Sequence, residues 1–485
     1  MGDDHRVLVG GDRAAGDRGA YDVVNPATEE IVGLAPECSV EQVEAAAEAA
    51  AEAFGPWSRT RPEERADLLD RLADRLAERS DDLVPLVQAE TGATLRVTTT
   101  MQVPQTVDRL RRYARGALEP HTIPLAPAEM GSTALAPGGL LGSVAERRPV
   151  GVVACITPYN FPLVNMAGKV GPALAMGNTV VVKPAPQDPL AVLAFADAVV
   201  DAGFPPGVVN IVTGSGAEVG EALVASRHVD MVSFTGSTAV GRRIGQVAGH
   251  DVKRLLLELG GKGAALVFDD ADVPTAVGAI ASTWAFHSGQ ICTAPTRVIA
   301  QRGVHDQVVA GLRAAAGRMT VGDPLAADTV VGPVVSAAQR DRIEAHVRSG
   351  ADEGGEVVVG GERPDMPRGF YVAPTLLAGC KPGMSVVQQE IFGPVVVALS
   401  FDDEDEGVAL ANATDFGLND YVFTGDTARG MRVARQLRTG SVAINTAQQS
   451  QEAPFGGFKL SGVGRDRGVF AMHAYSELQS IVWPG

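Results

Sequence analysis

Two hydrophobic periods divide the chain. Between residues 60 and 80, Ala66, Leu69, Ala73, Leu76 and Ala77 recur at helical spacing while charged residues occupy the opposite face. That pattern predicts an amphipathic scaffold helix. Ser39 and Gln42 have the spacing of a capping box before the Ala-rich run 41–54, and Thr60 and Glu63 repeat it before the next helix. The first third is therefore expected to open with helices. From Gly151 the period shortens. The β-branched runs 152–156, 179–182, 208–212 and 231–234 alternate with helix-like segments 191–202 and 217–226. A second series, 264–267, 297–300, 356–359 and 395–399, follows Leu259, with a helical segment at 306–315. Alternation of this kind predicts βαβ units and mostly parallel sheets. The fold class is α/β, with two halves meeting near residue 260 and ligands in crevices at the carboxyl ends of strands. The Pro/Gly-rich stretch 120–142 reads as an irregular excursion.

Composition narrows the function classes. The 485 residues are enough for two large domains or three smaller ones, and 45% hydrophobic with 20% charged residues is an ordinary globular balance. A formal charge of −17 without any Lys/Arg-rich run disfavours nucleic acid as a partner. The apolar runs fall short of the ~18–20 residues of a membrane helix. The acidic start, with Arg6 in the place of a Ser or Thr, matches neither a signal peptide nor a myristoylation signal. Cys38, Cys155, Cys292 and Cys380 form no CxxC pair, so no metal site or disulfide framework is expected, and the chain reads as cytoplasmic with reduced thiols.

Candidate chemistry begins with the turns. A strict G-x-G-x-x-G is absent. Gly214-Ser-Gly-Ala-Glu-Val-Gly220 and Gly462-Val-Gly-Arg-Asp-Arg-Gly468 are each one residue too long and read as turn glycines. Phe234-Thr-Gly-Ser-Thr-Ala-Val-Gly241 follows a strand and opens a helix, whose backbone N–H groups suit a phosphate. His287-Ser-Gly-Gln-Ile-Cys292 places a thiol beyond a glycine turn. Such a thiol serves either as a nucleophile or as a small buried hydrophobe. Leu257-Glu-Leu-Gly-Gly-Lys262 sets the Glu258 carboxylate among apolar residues, where it is a general base or an ion-paired structural group.

Taken with Thr157-Pro-Tyr-Asn-Phe-Pro162, Val182-Lys-Pro-Ala185, Glu390-Ile-Phe-Gly-Pro394 and Pro454-Phe-Gly-Gly457, these blocks give the chain its likeness. It resembles the aldehyde dehydrogenase superfamily from Asn25-Pro26 to its C-terminus. The resemblance implies two Rossmann-like α/β domains and a small β oligomerisation element. Residues 1–122 and 146–258 would form the cofactor-binding domain, 259–447 the catalytic domain, and 123–145 with 470–485 the oligomerisation element of a homodimer or homotetramer. Within the last, Ile481-Val-Trp483 would form a strand against the excursion.

By the same resemblance, Cys292 attacks a small-molecule aldehyde, and the Asn160 amide with the Cys292 N–H holds the oxyanion. Glu258 activates the hydrolytic water and Lys169 assists proton relay, unless it is a surface lysine. The cofactor is NAD, with NADP as the alternative. Lys183 reaches the adenosine ribose, Gly216 lines the adenine side, and Ser237 lies near the pyrophosphate. Glu390 and Phe392 position the nicotinamide ribose and ring. Thr157, Pro158, Phe234, Gly236 and Leu259 complete the cofactor set.

Two departures bear on specificity. Pro186 stands where NAD-preferring members often place a glutamate, which weakens discrimination against a 2′-phosphate without supplying a grip for one. Gly168 replaces a bulky tunnel aromatic and predicts a wider tunnel for medium-chain, terpenoid or aromatic aldehydes. The loop 446–453 contains no Arg, which disfavours a second carboxylate as in succinate semialdehyde. An NADP-preferring semialdehyde dehydrogenase and a catalytically silent scaffold protein are the competing expectations. Glu258 argues against acyl transfer to coenzyme A, and Cys292 with Asn160 against the silent scaffold.

Overall fold

The structure, a computed structural model, describes residues 5–484; residues 1–4 and 485, the ends of two predicted segments, lie outside it. Its first sheet has eight strands, in the order Gly462–Val463, Arg254–Glu258, Met231–Thr235, Val152–Ile156, Thr179–Lys183, Val209–Ile211, Val7–Val9 and Asp12–Ala14. The five central strands are parallel. Every residue of Val152–Ile156 and Thr179–Lys183 is buried, which is why these strands read as unbroken apolar runs instead of alternating ones. The strand order reverses beside Val152–Ile156: Thr179–Lys183 lies on one side and Met231–Thr235 on the other. Such a reversal opens a crevice at the carboxyl ends of the strands, here at Thr157, Lys183, Gly236 and Glu258.

The second sheet runs Glu356–Val359, Thr375–Ala378, Val395–Phe401, Arg297–Gln301, Ala264–Val267, Asn419–Phe423 and Ser441–Ile444. Only its first pair is antiparallel. The chain passes from one sheet to the other across Glu258-Leu-Gly-Gly-Lys262, so the carboxylate at the end of the first sheet stands at the join.

Three expectations about local structure are corrected. Four short strands, Val7–Val9, Asp12–Ala14, Ala20–Val24 and Ile31–Pro36, precede the first helix, Val40–Ser58. Gly10 and Gly11 turn the first hairpin with φ of 61° and 96°; strands of three residues are too short to display a period. The second capping box does not form. Pro62 takes the first helical position, Arg61 becomes the cap, and the Thr60 hydroxyl donates to Trp57 O at 2.7 Å instead. The first box forms by half: Ser39 Oγ accepts from the Gln42 N–H at 3.1 Å, but the Gln42 amide donates to Ala15 O.

The stretch 120–142 is regular, not irregular. Thr122–Met130 pairs antiparallel with Gly139–Pro149, which pairs with Ser476–Pro484 in the register Ile481 to Val144 and Trp483 to Gly142. This three-stranded sheet leaves Ile123, Leu125, Leu140, Leu478 and Val482 exposed. Among the described residues no helix is long and apolar enough to cross a membrane, and no group of three His, Cys, Asp or Glu side chains could hold a metal ion.

Candidate active site

A cavity of about 1390 Å³ lies at the seam between the two large sheets. Cys292, Asn160 and Glu258 line it, as do Thr157, Pro158, Lys183, Gly216, Phe234, Gly236, Ser237, Leu259, Glu390 and Phe392. Lys169 does not.

Glycines bring the catalytic segments together. A Cβ on Gly261 would stand 2.4 Å from Cys292 O, and one on Gly289, where φ is +72°, would stand 2.2 Å from Gly393 O. Cys292 is half-buried, whereas the other three cysteines are buried. Burial pushes its thiol up to about 12, with Glu390 and Glu258 adding and Arg467 opposing. The resting group is therefore a thiol, and its attack on an electrophile calls for a base and a stabilised oxyanion.

Asn160 is buried at the turn after the first central strand. Its Nδ2 donates to Gln290 O at 2.8 Å and its Oδ1 accepts the Phe161 N–H at 3.1 Å. Those bonds orient the amide and leave a second Nδ2 hydrogen for a ligand. Glu258 ends its strand with both carboxylate oxygens buried and without a hydrogen-bond partner among the described residues. Burial raises its pKa well above the usual carboxylate value, Asp466 adds to the rise, and Lys169, Arg465 and Arg467 oppose it. An unpartnered carboxylate in a cleft, whose proton affinity burial has raised, is suited in its ionised form to general base work.

Lys169 is fully buried on the helix Pro162–Ala175, not a surface lysine. Its Nζ donates to Ser233 Oγ at 3.1 Å, which lies 2.7 Å from the Tyr475 hydroxyl. Burial lowers its pKa, while Asp466 and Glu258 oppose that shift. It sits behind the cavity wall and acts on Glu258 through charge.

The other end of the cavity presents donors. Lys183 Nζ makes one hydrogen bond, to Pro184 O at 3.1 Å, and burial lowers its pKa to about 8. Thr157 Oγ1 is buried without a partner among the described residues. Gly216 caps the helix Ala217–Ala225, and Ser237 caps Thr238–His250 by accepting the Val240 N–H at 3.3 Å. Two helix N-termini facing one cleft suit a pyrophosphate. The Phe234 ring lies under Gly236, where a Cβ would meet it at 2.4 Å, and Leu259 fills the space that Gly241 leaves open.

Nearer Cys292, Glu390 accepts the Gly261 N–H at 2.9 Å, and a Cβ on Gly260 would stand 2.3 Å from its Oε2. Burial raises Glu390 to about 7. Phe392 has a φ of +56° and packs edge-on against Tyr159 with centroids 5.8 Å apart. Gln339 fixes that strained residue by donating to its carbonyl at 2.9 Å.

The tunnel argument from Gly168 is overturned. Gly168 is buried in its helix and does not line the cavity. A Cβ there would meet Arg109 Nη1 at 2.6 Å, so the room left by the missing side chain is occupied by an arginine. The loop 446–453 also proves an incomplete guide, because cationic groups reach the cavity from elsewhere. Arg109 comes from the helix Val103–Ala117 and Arg467 from the stretch read only as turn glycines. Arg109 carried no local signal. The pair of arginines flanking Asp466 was a visible one.

The chain matches the sequence model of the aldehyde dehydrogenase family over residues 13–481. It is 40% identical over 460 residues to a betaine aldehyde dehydrogenase of Cereibacter sphaeroides, covering 95% of this chain and 92% of that one. It is 37% identical over 464 residues to a 3-succinoylsemialdehyde-pyridine dehydrogenase of a Pseudomonas species, covering 95% and 94%. Among solved structures it superimposes on betaine aldehyde dehydrogenase of Staphylococcus aureus in complex with NAD+, with a TM-score of 0.93 at 33% identity, covering 99% and 95%.

Proposed function

Since the chain belongs to the aldehyde dehydrogenase family, we propose that it oxidises an aldehyde to the carboxylic acid with NAD, using Cys292 as the covalent nucleophile. The observation that carries this reading is the convergence on one cavity of a half-exposed thiol, a pinned amide and a carboxylate without a partner. Cys292 Sγ gives up its proton to the ionised Glu258 carboxylate as it attacks the carbonyl carbon, whose C=O π electrons move to oxygen to form the thiohemiacetal oxyanion. The free Nδ2 hydrogen of Asn160 and the Cys292 N–H hold the oxyanion; a single such donor contributes about 3–4 kcal/mol. After oxidation to the thioester, Glu258 takes a proton from the water that hydrolyses it. Lys169 tunes Glu258 from behind.

The chain's residues fit a dinucleotide. Lys183, Gly216 and the buried Thr157 hydroxyl would meet the adenosine side, and Gly236 and Ser237 the phosphates. Glu390 and Phe392, with Leu259, would hold the nicotinamide end. When bound, the nicotinamide supplies the hydride acceptor. We favour NAD over NADP because Arg243, an arginine lining that end from the helix Thr238–His250, is committed to Glu221 at 2.8 Å, and Pro186 adds no cation.

A small polar aldehyde replaces the long or aromatic class suggested by Gly168. The name of the Cereibacter sphaeroides relative, a betaine aldehyde dehydrogenase, supports that reading, and Arg109 occupies the supposed tunnel space. Our domain division at about residue 259 is supported by the passage of the chain from the first large sheet to the second there, and the exposed three-stranded sheet is our candidate for the contact of a homodimer or homotetramer; light scattering of the intact protein and of Leu478→Lys tests it. The function itself is tested by a steady-state aldehyde screen with NAD and NADP. Turnover with NAD that is abolished in Cys292→Ser supports the reading, and retained turnover in that variant overturns it.

A further inference from the structure

Two of the arginines that line the cavity, Arg109 and Arg467, stand beside Asp466, and Arg467 acts on Cys292 through its charge. Neither has an acidic group within 4.0 Å among the described residues. Arg109 donates Nη1 to Val164 O at 3.0 Å. Arg467 donates Nη1 to Gln449 Oε1 at 2.9 Å, and its guanidinium lies 4.1 Å over the Phe455 ring. A guanidinium carries five N–H donors, and each of these uses one within the protein.

A partly buried cation is ordinarily paired. Here two stand close enough that Arg109, after burial itself, helps lower Arg467 to about 10. The charged groups facing them are Asp466, whose Oδ1 accepts the Arg467 backbone N–H at 2.7 Å, with Glu258 and Lys169 behind. Asp466 offsets one positive charge and leaves a surplus.

The backbone adds a second observation. Arg467 has φ +67° and ψ 154°, a region essentially confined to glycine. A strained residue of this kind persists where the surroundings hold it, and it clusters at functional sites. The hydrogen bond to Gln449 and the Phe455 ring fix the head of a side chain whose backbone is already constrained, so its fork is preorganised.

Resting on the aldehyde dehydrogenase reading above, we propose that the substrate carries a carboxylate at the end remote from its aldehyde, and that Arg109 and Arg467 grip this group while Cys292 attacks the carbonyl. The planar guanidinium fork matches a carboxylate bidentately. The same pair repels a quaternary ammonium aldehyde, and an uncharged aldehyde leaves the donors unsatisfied. Specificity thus rests on groups outside the loop 446–453.

The test compares kcat/KM, with saturating NAD, for succinate semialdehyde and glutarate semialdehyde against butanal, pentanal and betaine aldehyde. The unaltered enzyme should favour each carboxylated aldehyde over its neutral partner of equal length by about tenfold or more, with betaine aldehyde the poorest. Arg109→Gln and Arg467→Gln should each cut the carboxylated-to-neutral ratio by about ten- to hundredfold, mainly through KM. The lysine variants should keep part of the ratio. A ratio near one in the unaltered enzyme, or a preference for betaine aldehyde, overturns the proposal without any variant having to fold. So does an equal loss of kcat on both substrate classes in the glutamine variants, which would place the arginines in the service of Cys292. Absence of NAD-dependent oxidation of every aldehyde would overturn the underlying enzymatic reading, and this proposal with it.

Discussion

Arg109 Nη1 lies 2.6 Å from the place where a Cβ on Gly168 would stand. The contact is with the far end of a flexible side chain, in a helix where alanine is better than glycine by about 1 kcal/mol. Gly168→Ala should therefore melt at or slightly above the temperature of the unaltered protein. The displaced guanidinium should lower kcat/KM for carboxylated aldehydes by about tenfold. Thermal melts beside steady-state kinetics check both halves; a widened preference for long neutral aldehydes in the unaltered enzyme would restore the tunnel reading.

Glu258 links activity and stability through one buried carboxylate. Its pKa is raised by burial, so the kcat–pH profile should rise at a pH above the usual carboxylate range. Glu258→Gln should abolish that limb and reduce kcat by about 10²–10⁴-fold. The stability effect has the opposite sign. In the folded state the carboxylate binds its proton more tightly than in the unfolded chain, so stability falls as pH rises from the unfolded pKa towards the folded one. The glutamine variant should therefore gain more in Tm at pH 8 than at pH 5, as read by calorimetry at both pH values.

Cys292 combines partial exposure with a thiol pushed up to about 12. Alkylation by iodoacetamide should be slow at pH 7 and rise about tenfold per pH unit to pH 9, because only the thiolate reacts. Peptide mapping should find one modified residue. Cys38, Cys155 and Cys380 are buried, and burial raises each of them as well.

Asn160→Ala should lower kcat by about 10²–10³-fold. Because the amide also donates to Gln290 O at 2.8 Å, the variant should lose about 1 kcal/mol of stability, measurable by urea titration. An unaltered kcat would remove Asn160 from the oxyanion role.

Much of this was legible along the chain, for identifiable reasons. Continuous β-branched runs such as Val152–Ile156 announced buried parallel strands because both faces of those strands are covered. Cys292 and Glu258 stood in local motifs whose glycines are demanded by contacts of 2.2–2.4 Å, as at Gly289 and Gly261, and Asn160 stood in a Pro-flanked turn. The N-terminal hairpin was not legible because three residues show no period. The strand Thr122–Met130, which holds Pro124 and Pro127, was hidden by its own turn-like composition. Arg109 was invisible because its meaning depends on Gly168, which lies in a different helix; Arg467 stood visibly beside Asp466, but its role depends on a backbone conformation that the sequence does not display.

The covalent intermediate tests the central claim most directly. Glu258→Gln, mixed with NAD and succinate semialdehyde and quenched in acid, should carry a single adduct equal to the aldehyde less two hydrogens. Peptide mapping should place it on Cys292, and the adduct should be absent from Cys292→Ser. No adduct, or an adduct on another residue, would contradict the assignment of Cys292 as nucleophile and Glu258 as the group that releases the acid.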